Sequence, residues 1–481
     1  MADTIADLAP SEVWNHFYNL TQIPRVSGNE QGVQKYLSDF ASSHHLKCRT
    51  DRVGNVIIEK PCASPSAPSL ILQAHMDMVG VSSADVSFDF ATQPINTYIE
   101  DGFVKARGTT LGADNGIGVA MILAVLADGS ITGLNLKAIF TVQEETSMLG
   151  ASNLDASELD CDYLLNLDSE ENGFLYVSCA GSEDCRVSLA LEQAPPGKAL
   201  AGIELGLSGL AGGHSGTDIH KGHANAIITL AKIIRHVSQP VFLGSLNGGT
   251  VRNAIANSAT ATIAVPAGTE KDAIAAMEKG FGDYRSIHLA TDPQMQFRAQ
   301  AAAPAPRYFD GRSSARALDF ITSLPQGALR MSDIDPGVTQ SSVNLGVART
   351  EGSTLTLTLM SRSLMTEGLD DVKLRLTSLY DLTEGVSYEF FNRYPCWQSP
   401  TDNRLVNTLK EQYRRISGQE LKITAMHAGL ECAFFVRGNG HLQLASIGPN
   451  IFNPHSPREK VEIRGVEEIY RTVLSALQSL S

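Results

Sequence analysis

Three apolar runs of strand length in this 481-residue chain stop at chemically reactive side chains. Residues 70–72 lead into His75 and Asp77, the run in LNLKAIFTVQEETSM into Glu144 and Glu145, and the run in CDYLLNLDSEENG into Asp168, Glu170 and Glu171. Unbroken apolar runs of this length suit strands buried on both faces. Such strands belong to an α/β sheet, and open α/β sheets build their sites beyond the carboxyl ends of the strands.

The residues at those ends have the spacing of ligands. On extended chain, residues two apart share a face, so His75 can face a metal while Asp77 accepts a hydrogen bond from its other ring nitrogen. Glu144 and Glu145 are adjacent and, on a strand, point to opposite faces, which frees one for a metal and the other for a water beside it. In ARGTTLGADNGIGVAMILAVLADG a glycine-rich loop leads through Asp114 into a helix over residues 117–126, with Gly129 as its stop. A carboxylate at a helix start is also an ordinary cap. The glycines Gly112, Gly116 and Gly118 fit neither a dinucleotide nor a P-loop fingerprint. His455 lies in a proline-flanked loop that excludes a helix interior.

Gathering Asp77, Asp114, Glu144, Glu145 and Asp168 in one cleft without cations would raise several of their pKa values and oppose folding. Two divalent ions remove the conflict. Zn²⁺ accepts histidine and carboxylate ligands and leaves a position for water, and paired ions about 3.5–4 Å apart share a carboxylate.

The phrases AHMDMV, ARGTTLGADNGIG, the pair Glu144–Glu145, LDSEE, GGHSG, NGGTVRNAI, HAGLEC and SIGP followed by PHSP resemble, in order and spacing, the aminoacyl-histidine dipeptidases. These form a branch of the dinuclear zinc aminoacylase and carboxypeptidase family, and the likeness runs the length of the chain. It implies that Asp114 bridges two ions, that His75 and Asp168 complete one ion's ligands, and that Glu145 and His455 complete the other's. Glu144 is then the general base, Asp77 orients His75, and the Asp114–Asn115 peptide is cis. The ions implied are Zn²⁺, with Co²⁺ or Mn²⁺ as alternatives. The substrates are dipeptides, Xaa-His among them; a deacylase or carboxypeptidase on the same scaffold is the alternative. A homodimer is also implied.

The organisation expected is a mixed, mostly parallel sheet flanked by helices in a catalytic domain of residues 1–182 and 396–481, with an α+β lid of residues 183–395 inserted. SEVWNHFYNL reads as a helix capped by Ser11. Inside the insert, TATIAV and TLTLTLMSRS alternate like strands of a sheet covered on one side. AQAAAPAPRYFDGR reads as an exposed connection. NGGTVRNAIANSATATIAV and SSVNLGVARTEGSTLTLTLMSRS both lead from an asparagine into an alternating strand, the pattern of two related halves. From the insert, His214 between glycines is the candidate donor to the developing oxyanion, Arg362 the anchor for a substrate carboxylate, and Asn253 an added hydrogen bond. Gly429 and Glu431 in HAGLEC are candidate substrate contacts, Glu431 for the free amino group. His220 and His223 read as loop histidines.

A net charge of −14 argues against nucleic-acid or anionic-membrane partners. No apolar run reaches the roughly 20 residues of a membrane span, and the start of the chain lacks the basic and apolar segments of a signal peptide, so cytoplasm is the expected location. Seven cysteines without a CxxC pair read as thiols rather than a disulfide framework.

Overall fold

The computed structural model describes residues 4–194, 199–305, 307–437 and 440–481. The chain forms two compact units, one of Met1–Ser178, Trp397–Ala425 and Leu430–Ser481, the other of Cys179–Cys396 and Met426–Gly429.

The first unit is built on a mixed sheet. Its strands run in the order Lys47–Thr50, Val56–Lys60, Asn135–Thr141, Ser69–His75, Tyr163–Asn166, Gln443–Ser446, Phe174–Cys179 and Trp397–Gln398. The four from Asn135–Thr141 to Gln443–Ser446 are mutually parallel, and the flanking pairs are antiparallel. The central strands are buried almost throughout, as apolar runs demand. The helix Ala113–Ala127 is apolar all round and buried from Ala113 to Leu126, so it forms the unit's core rather than its surface. It ends at an extended Asp128 rather than at Gly129. Ser11 is the first residue of its helix, not the cap; Pro10 takes that place and no side chain caps the turn.

Among the described residues the second unit is an antiparallel sheet with four α-helices. Its main path runs Gln296–Ala302, Leu200–Ser208, Ala259–Pro266, Phe242–Gly248, Thr339–Glu351, Thr354–Ser363, Gly181–Ala190 and Val386–Tyr394. This order is symmetric about its centre. Strand 200–208, helix Ala226–Ile234, strands 242–248 and 259–266, helix Glu270–Ile287 and strand 296–302 make one strand-helix-strand-strand-helix-strand half. Strand 181–190, helix Gly311–Ser323, strands 339–351 and 354–363, helix Thr366–Asp381 and strand 386–394 make the other, into which the first is inserted after the opening strand. The halves meet edge to edge at Gly248 and Ala348. The two related sequence phrases are thus the middle hairpins of two topologically equivalent halves. AQAAAPAPR is not all connection: its first residues, through Ala302, lie in the edge strand 296–302, whose alanines pair with Leu200–Ser208.

Among the described residues no helix is long and apolar enough to cross a membrane. All seven cysteines are free thiols.

Candidate metal centre

The candidate ligands converge in the first unit. His75 closes the central strand and points Nε2 at Asp114 Oδ1, 3.0 Å away, with Asp168 Oδ1 at 3.6 Å. His455 points its own Nε2 at the other oxygen of Asp114, Oδ2, at 3.0 Å and at Glu145 Oε2 at 2.9 Å. His75, Asp114 and Asp168 therefore form one cluster of potential ligand atoms and Asp114, Glu145 and His455 another, with His75, Glu144 and Glu145 a third grouping between them; in each, the atoms lie within 4.8 Å of one another. Asp114 belongs to the first two and offers each a different oxygen. Glu144 stands off, its Oε2 4.0 Å from His75 Nε2. Its side chain is 13% exposed whereas that of Glu145 is 5%, so Glu144 is the acid more open to a solvent molecule.

Local backbone explains the placement. The strand that was expected to carry Glu144 and Glu145 ends at Thr141, and the two acids sit on a helical turn, Glu144–Ser147, preceded by a left-handed Gln143. Their side chains diverge because a helix rotates successive residues by about 100°, not because a strand alternates. Gln143, Glu170 and His455 are all non-glycine residues at φ of 53–57°, a region seldom occupied without a compensating role. The Asp114–Asn115 peptide is cis. Gly112 is left-handed, at φ 72°, and a Cβ there would stand 2.6 Å from Arg25 Nη2; one at Gly118 would stand 2.5 Å from the Leu167 carbonyl oxygen. The glycines of the ADNGIG phrase are thus set by close packing around the loop.

Supporting groups fix the ligands. Asp77 Oδ1 lies 3.4 Å from His75 Nδ1, and the backbone carbonyl of Asp77 lies 3.2 Å from the same nitrogen. The Asp77 carboxylate also accepts the backbone N–H groups of Glu144 and Glu145, at 3.0 and 3.2 Å, and the hydroxyl of Ser27 at 2.7 Å. One carboxylate thereby orients a ligand histidine and anchors the turn that carries two acids. Sequence reading missed Glu459 and Arg25. The Glu459 carboxylate is buried and accepts four consecutive backbone N–H groups, those of Leu111, Gly112, Ala113 and Asp114, at 2.7, 3.0, 2.7 and 3.3 Å. Arg25, also buried, donates to the carbonyls of Met76, Asp77 and Gly112. Arg25 stands beside no motif, and Glu459 is signalled only as an acid two residues after the PHSP phrase.

The electrostatics are those of an unresolved crowd of acids. Burial, then neighbouring charge, pushes Glu144, Glu145, Asp168 and Glu170 above the ordinary carboxyl range. Burial would also raise Asp114, but hydrogen bonds from His455 and His75 outweigh it and hold Asp114 well below. His455 is pushed up to about 11, chiefly by its hydrogen bonds to Asp114 and Glu145. Burial would lower His75, yet Asp168, Asp114 and Asp77 outweigh it and hold it well above its usual value.

Protonated imidazoles paired with carboxylates satisfy part of this geometry. They do not satisfy Glu145, whose Oε1 is buried without a hydrogen-bond partner. In a tetrahedral site with metal–ligand distances of about 2.0–2.1 Å, ligand atoms stand roughly 3.3 Å apart. The four histidine–carboxylate separations, 2.9–3.6 Å, bracket that value. The donor set of imidazoles and carboxylates, one carboxylate common to both clusters and a buried oxygen in need of a cation all fit a pair of divalent ions.

The second unit holds a separate constellation. His214 Nδ1 accepts the backbone N–H groups of Gly216 and Thr217 at 3.3 and 3.2 Å. The loop is pinned by the Ser215 N–H to the Asn253 carbonyl at 2.9 Å; the Asn253 side chain itself is exposed. Arg362 is 7% exposed, forms no ion pair with a carboxylate among the described residues, and donates Nε to Ser215 Oγ at 3.3 Å, while its Nη2 lies 3.5 Å from His214 Nε2. Burial lowers it to about 10, which leaves it charged at neutral pH. His427, unremarked in the sequence, is buried with its Nε2 2.7 Å from Ser342 Oγ and is lowered to about 3, first by burial and then by Arg362 and His214. Gly429 is half-buried in the loop after the strand Lys422–Met426. Glu431 lies in the first unit and is fully buried, its Oε2 accepting from Gln73 and Thr141.

The model of peptidase family M20/M25/M40 matches residues 71–479. The chain is 35% identical over 478 residues to the cytosol non-specific dipeptidase of Escherichia coli, covering 98% of each. Its structure is similar to that of an aminoacylhistidine dipeptidase from Vibrio alginolyticus, with TM-score 0.88, 33% identity and 99% and 98% of the two chains covered. It also shares the fold of an aminopeptidase from Bacillus cereus, with TM-score 0.60 at 16% identity and 98% and 99% coverage.

Proposed function

Because the chain belongs to peptidase family M20/M25/M40, we propose that its acid cluster would hold two divalent ions, which would supply an activated water for the cleavage of dipeptides. The protein is a dipeptidase, a hydrolase of peptide bonds. Its relatives in Escherichia coli and Vibrio alginolyticus are named for non-specific and aminoacylhistidine dipeptidase activity, and Xaa-His dipeptides are accordingly among the substrates proposed. The observation that carries the two-ion reading is Asp114, which turns one oxygen to each ligand cluster.

Each residue then has a role. His75 and Asp168 hold one ion with Asp114; Glu145 and His455 hold the other. Zn²⁺ suits the histidine and carboxylate donors, and Co²⁺ or Mn²⁺ can share them. The ions, when bound, polarise the scissile carbonyl and lower the pKa of water. Glu144, the more exposed acid of its pair, is the proposed general base that removes the proton from the attacking water and returns it to the leaving amine. Asp77 keeps His75 in its ligand orientation and fixes the turn beneath Glu144. From the second unit, His214 is the proposed donor to the oxyanion and Arg362 the proposed anchor for the substrate carboxylate, while the Asn253 carbonyl pins the His214 loop through the Ser215 N–H. Gly429 allows the chain to pass close to substrate. Glu431 is assigned a different part below, since its burial excludes an open contact with the substrate amino group.

The cytosolic relative supports a cytoplasmic location, and family resemblance supports a homodimer. A panel of dipeptides, tripeptides and N-acyl amino acids, assayed before and after chelation, tests the function. Dipeptides are expected to be cleaved best and only by metal-loaded protein. Preference for N-acyl amino acids would replace the reading with a deacylase on the same scaffold.

A further inference from the structure

A line of polar side chains crosses the apolar centre of the first unit's sheet, one pleat below the ligands. Gln73 lies directly opposite Asn166 in the parallel register, and Asn166 opposite Ser446. Gln73 is two residues before His75 on the same strand and lies beneath it, and Asn166, the last residue of its strand, is two before Asp168 in the loop that follows. Thr141 stands opposite His75 on the neighbouring strand. Glu431 closes the line. All five side chains are fully buried, at 0% exposure.

The hydrogen bonds run in one direction. Ser446 donates its hydroxyl to Asn166 Oδ1 at 2.5 Å, and Asn166 donates Nδ2 to Gln73 Oε1 at 2.6 Å. Gln73 donates Nε2 to Glu431 Oε2 at 2.6 Å and to Thr141 Oγ1 at 3.1 Å. Thr141 donates its hydroxyl to the same Glu431 oxygen at 2.7 Å. Every donor is directed toward Glu431, whose Oε2 is the terminal acceptor of two of them while its Oε1 is buried without a hydrogen-bond partner. Burying five polar groups in the middle of an apolar sheet costs stability unless each is satisfied. Aliphatic residues at these positions would pack the sheet without that cost. Neither the fold nor the proposed reaction uses the row, so its position is what needs explaining.

That position is one-sided. The row lies under His75 and Asp168, the ligands at and just beyond the ends of the parallel strands. Glu145 and His455 come instead from a helical turn and a loop.

We infer that the buried row Ser446–Asn166–Gln73–Glu431, with Thr141, is a positioning network for one half of the metal centre: it fixes the strand ends so that His75 and Asp168 are held at ligand spacing, and it leaves the Glu145–His455 half to other supports. The inference rests on the two-ion reading above. Glu431 is a positioning residue that acts through Gln73 and Thr141.

The test is a titration of chelated protein with Co²⁺, followed by its visible absorbance. Wild-type protein is expected to take up two ions in two resolvable phases, assigned by comparison with Asp168→Asn and Glu145→Gln. Loss of outer hydrogen-bond partners typically costs 10- to 100-fold in metal affinity. Glu431→Ala is expected to weaken the phase that Asp168→Asn weakens by about that factor and to leave the other within about twofold. Glu431→Gln keeps an oxygen for Gln73 and Thr141 and is expected to restore most of the affinity. Ser446→Ala removes only the far hydroxyl, and so stays informative if Glu431→Ala does not fold; it is expected to weaken the same phase, by less. Equal weakening of both phases, no weakening in either variant, or a folded Glu431→Gln protein as impaired as the alanine variant would overturn the inference. Wild-type protein that binds fewer than two ions would instead overturn the two-ion reading, and the inference with it.

Discussion

Removing the Glu459 carboxylate should release the loop that presents Asp114. In Glu459→Ala four backbone N–H groups lose their acceptor at once: those of Leu111 and Gly112, which share Oε2, and those of Ala113 and Asp114, which share Oε1. Glu459 is 3% exposed, so water cannot replace it freely. Burial raises its pKa to about 7, and near neutrality part of the population accepts these bonds as a neutral acid. If only two of the four donors remain unsatisfied, at roughly 1–3 kcal/mol each, the local cost is about 4 kcal/mol. At about 1.4 kcal/mol per tenfold, hydrogen-exchange protection of these amides falls close to a thousandfold. The assay is exchange of a peptide spanning residues 107–120, with metal affinity measured in parallel. Glu459→Gln sharpens it, because an amide keeps one oxygen: one pair of N–H groups should stay protected while the other, now facing an NH₂, opens. Unchanged protection of residues 111–114 in the alanine variant would refute the reasoning.

Glu144→Gln should retain two bound ions while kcat for dipeptides falls by about 10²–10⁴-fold, the usual worth of a positioned general base; unchanged turnover would remove Glu144 from the mechanism. Arg362→Lys should raise KM for dipeptides by roughly 10- to 100-fold, the equivalent of about 1.5–3 kcal/mol for a charge-assisted contact, with no further loss on C-terminally amidated substrates; an equal effect on both substrates would contradict carboxylate recognition. His427 and His16 are lowered to about 3 and about 4, in both cases mainly by burial. The unfolded chain then binds more protons below pH 6.5, so their contribution to stability is complete above that pH and declines as the pH falls toward 3–4. In chelated protein the decline should approach about 1.4 kcal/mol per pH unit for each histidine, and His427→Gln should flatten the dependence of the denaturant midpoint on pH; an unaltered slope would show that His427 is not buried neutral.

Much of the candidate site is legible in the sequence because each ligand follows a pattern with a physical cause. Apolar strands that stop at His75 and Asp168 have their ligands at the sheet edge, and the glycines around Asp114 mark a loop packed too closely for side chains. Glu144 and Glu145 show the limit of periodicity: the strand ends earlier than its hydrophobicity suggests, and a left-handed Gln143 starts a helical turn that no pattern announces. Arg25 and Glu459 were invisible because their partners are backbone groups 51 to 348 residues away, and backbone carries no side-chain signature. The Gln73 row was hidden for a related reason, since three of its members lie inside runs that read as plain apolar strands. The duplicated second unit left a trace only in its two middle hairpins. Elsewhere the halves share topology, and helix Glu270–Ile287 and helix Thr366–Asp381 meet their sheets through different side chains.

Diffraction from metal-soaked crystals, recorded on both sides of the metal's absorption edge, addresses the acid cluster most directly. Two anomalous peaks are expected, one among His75, Asp114 and Asp168, the other among Asp114, Glu145 and His455, with one oxygen of Asp114 directed to each. A single peak, or none, with these side chains still gathered would contradict the dinuclear centre.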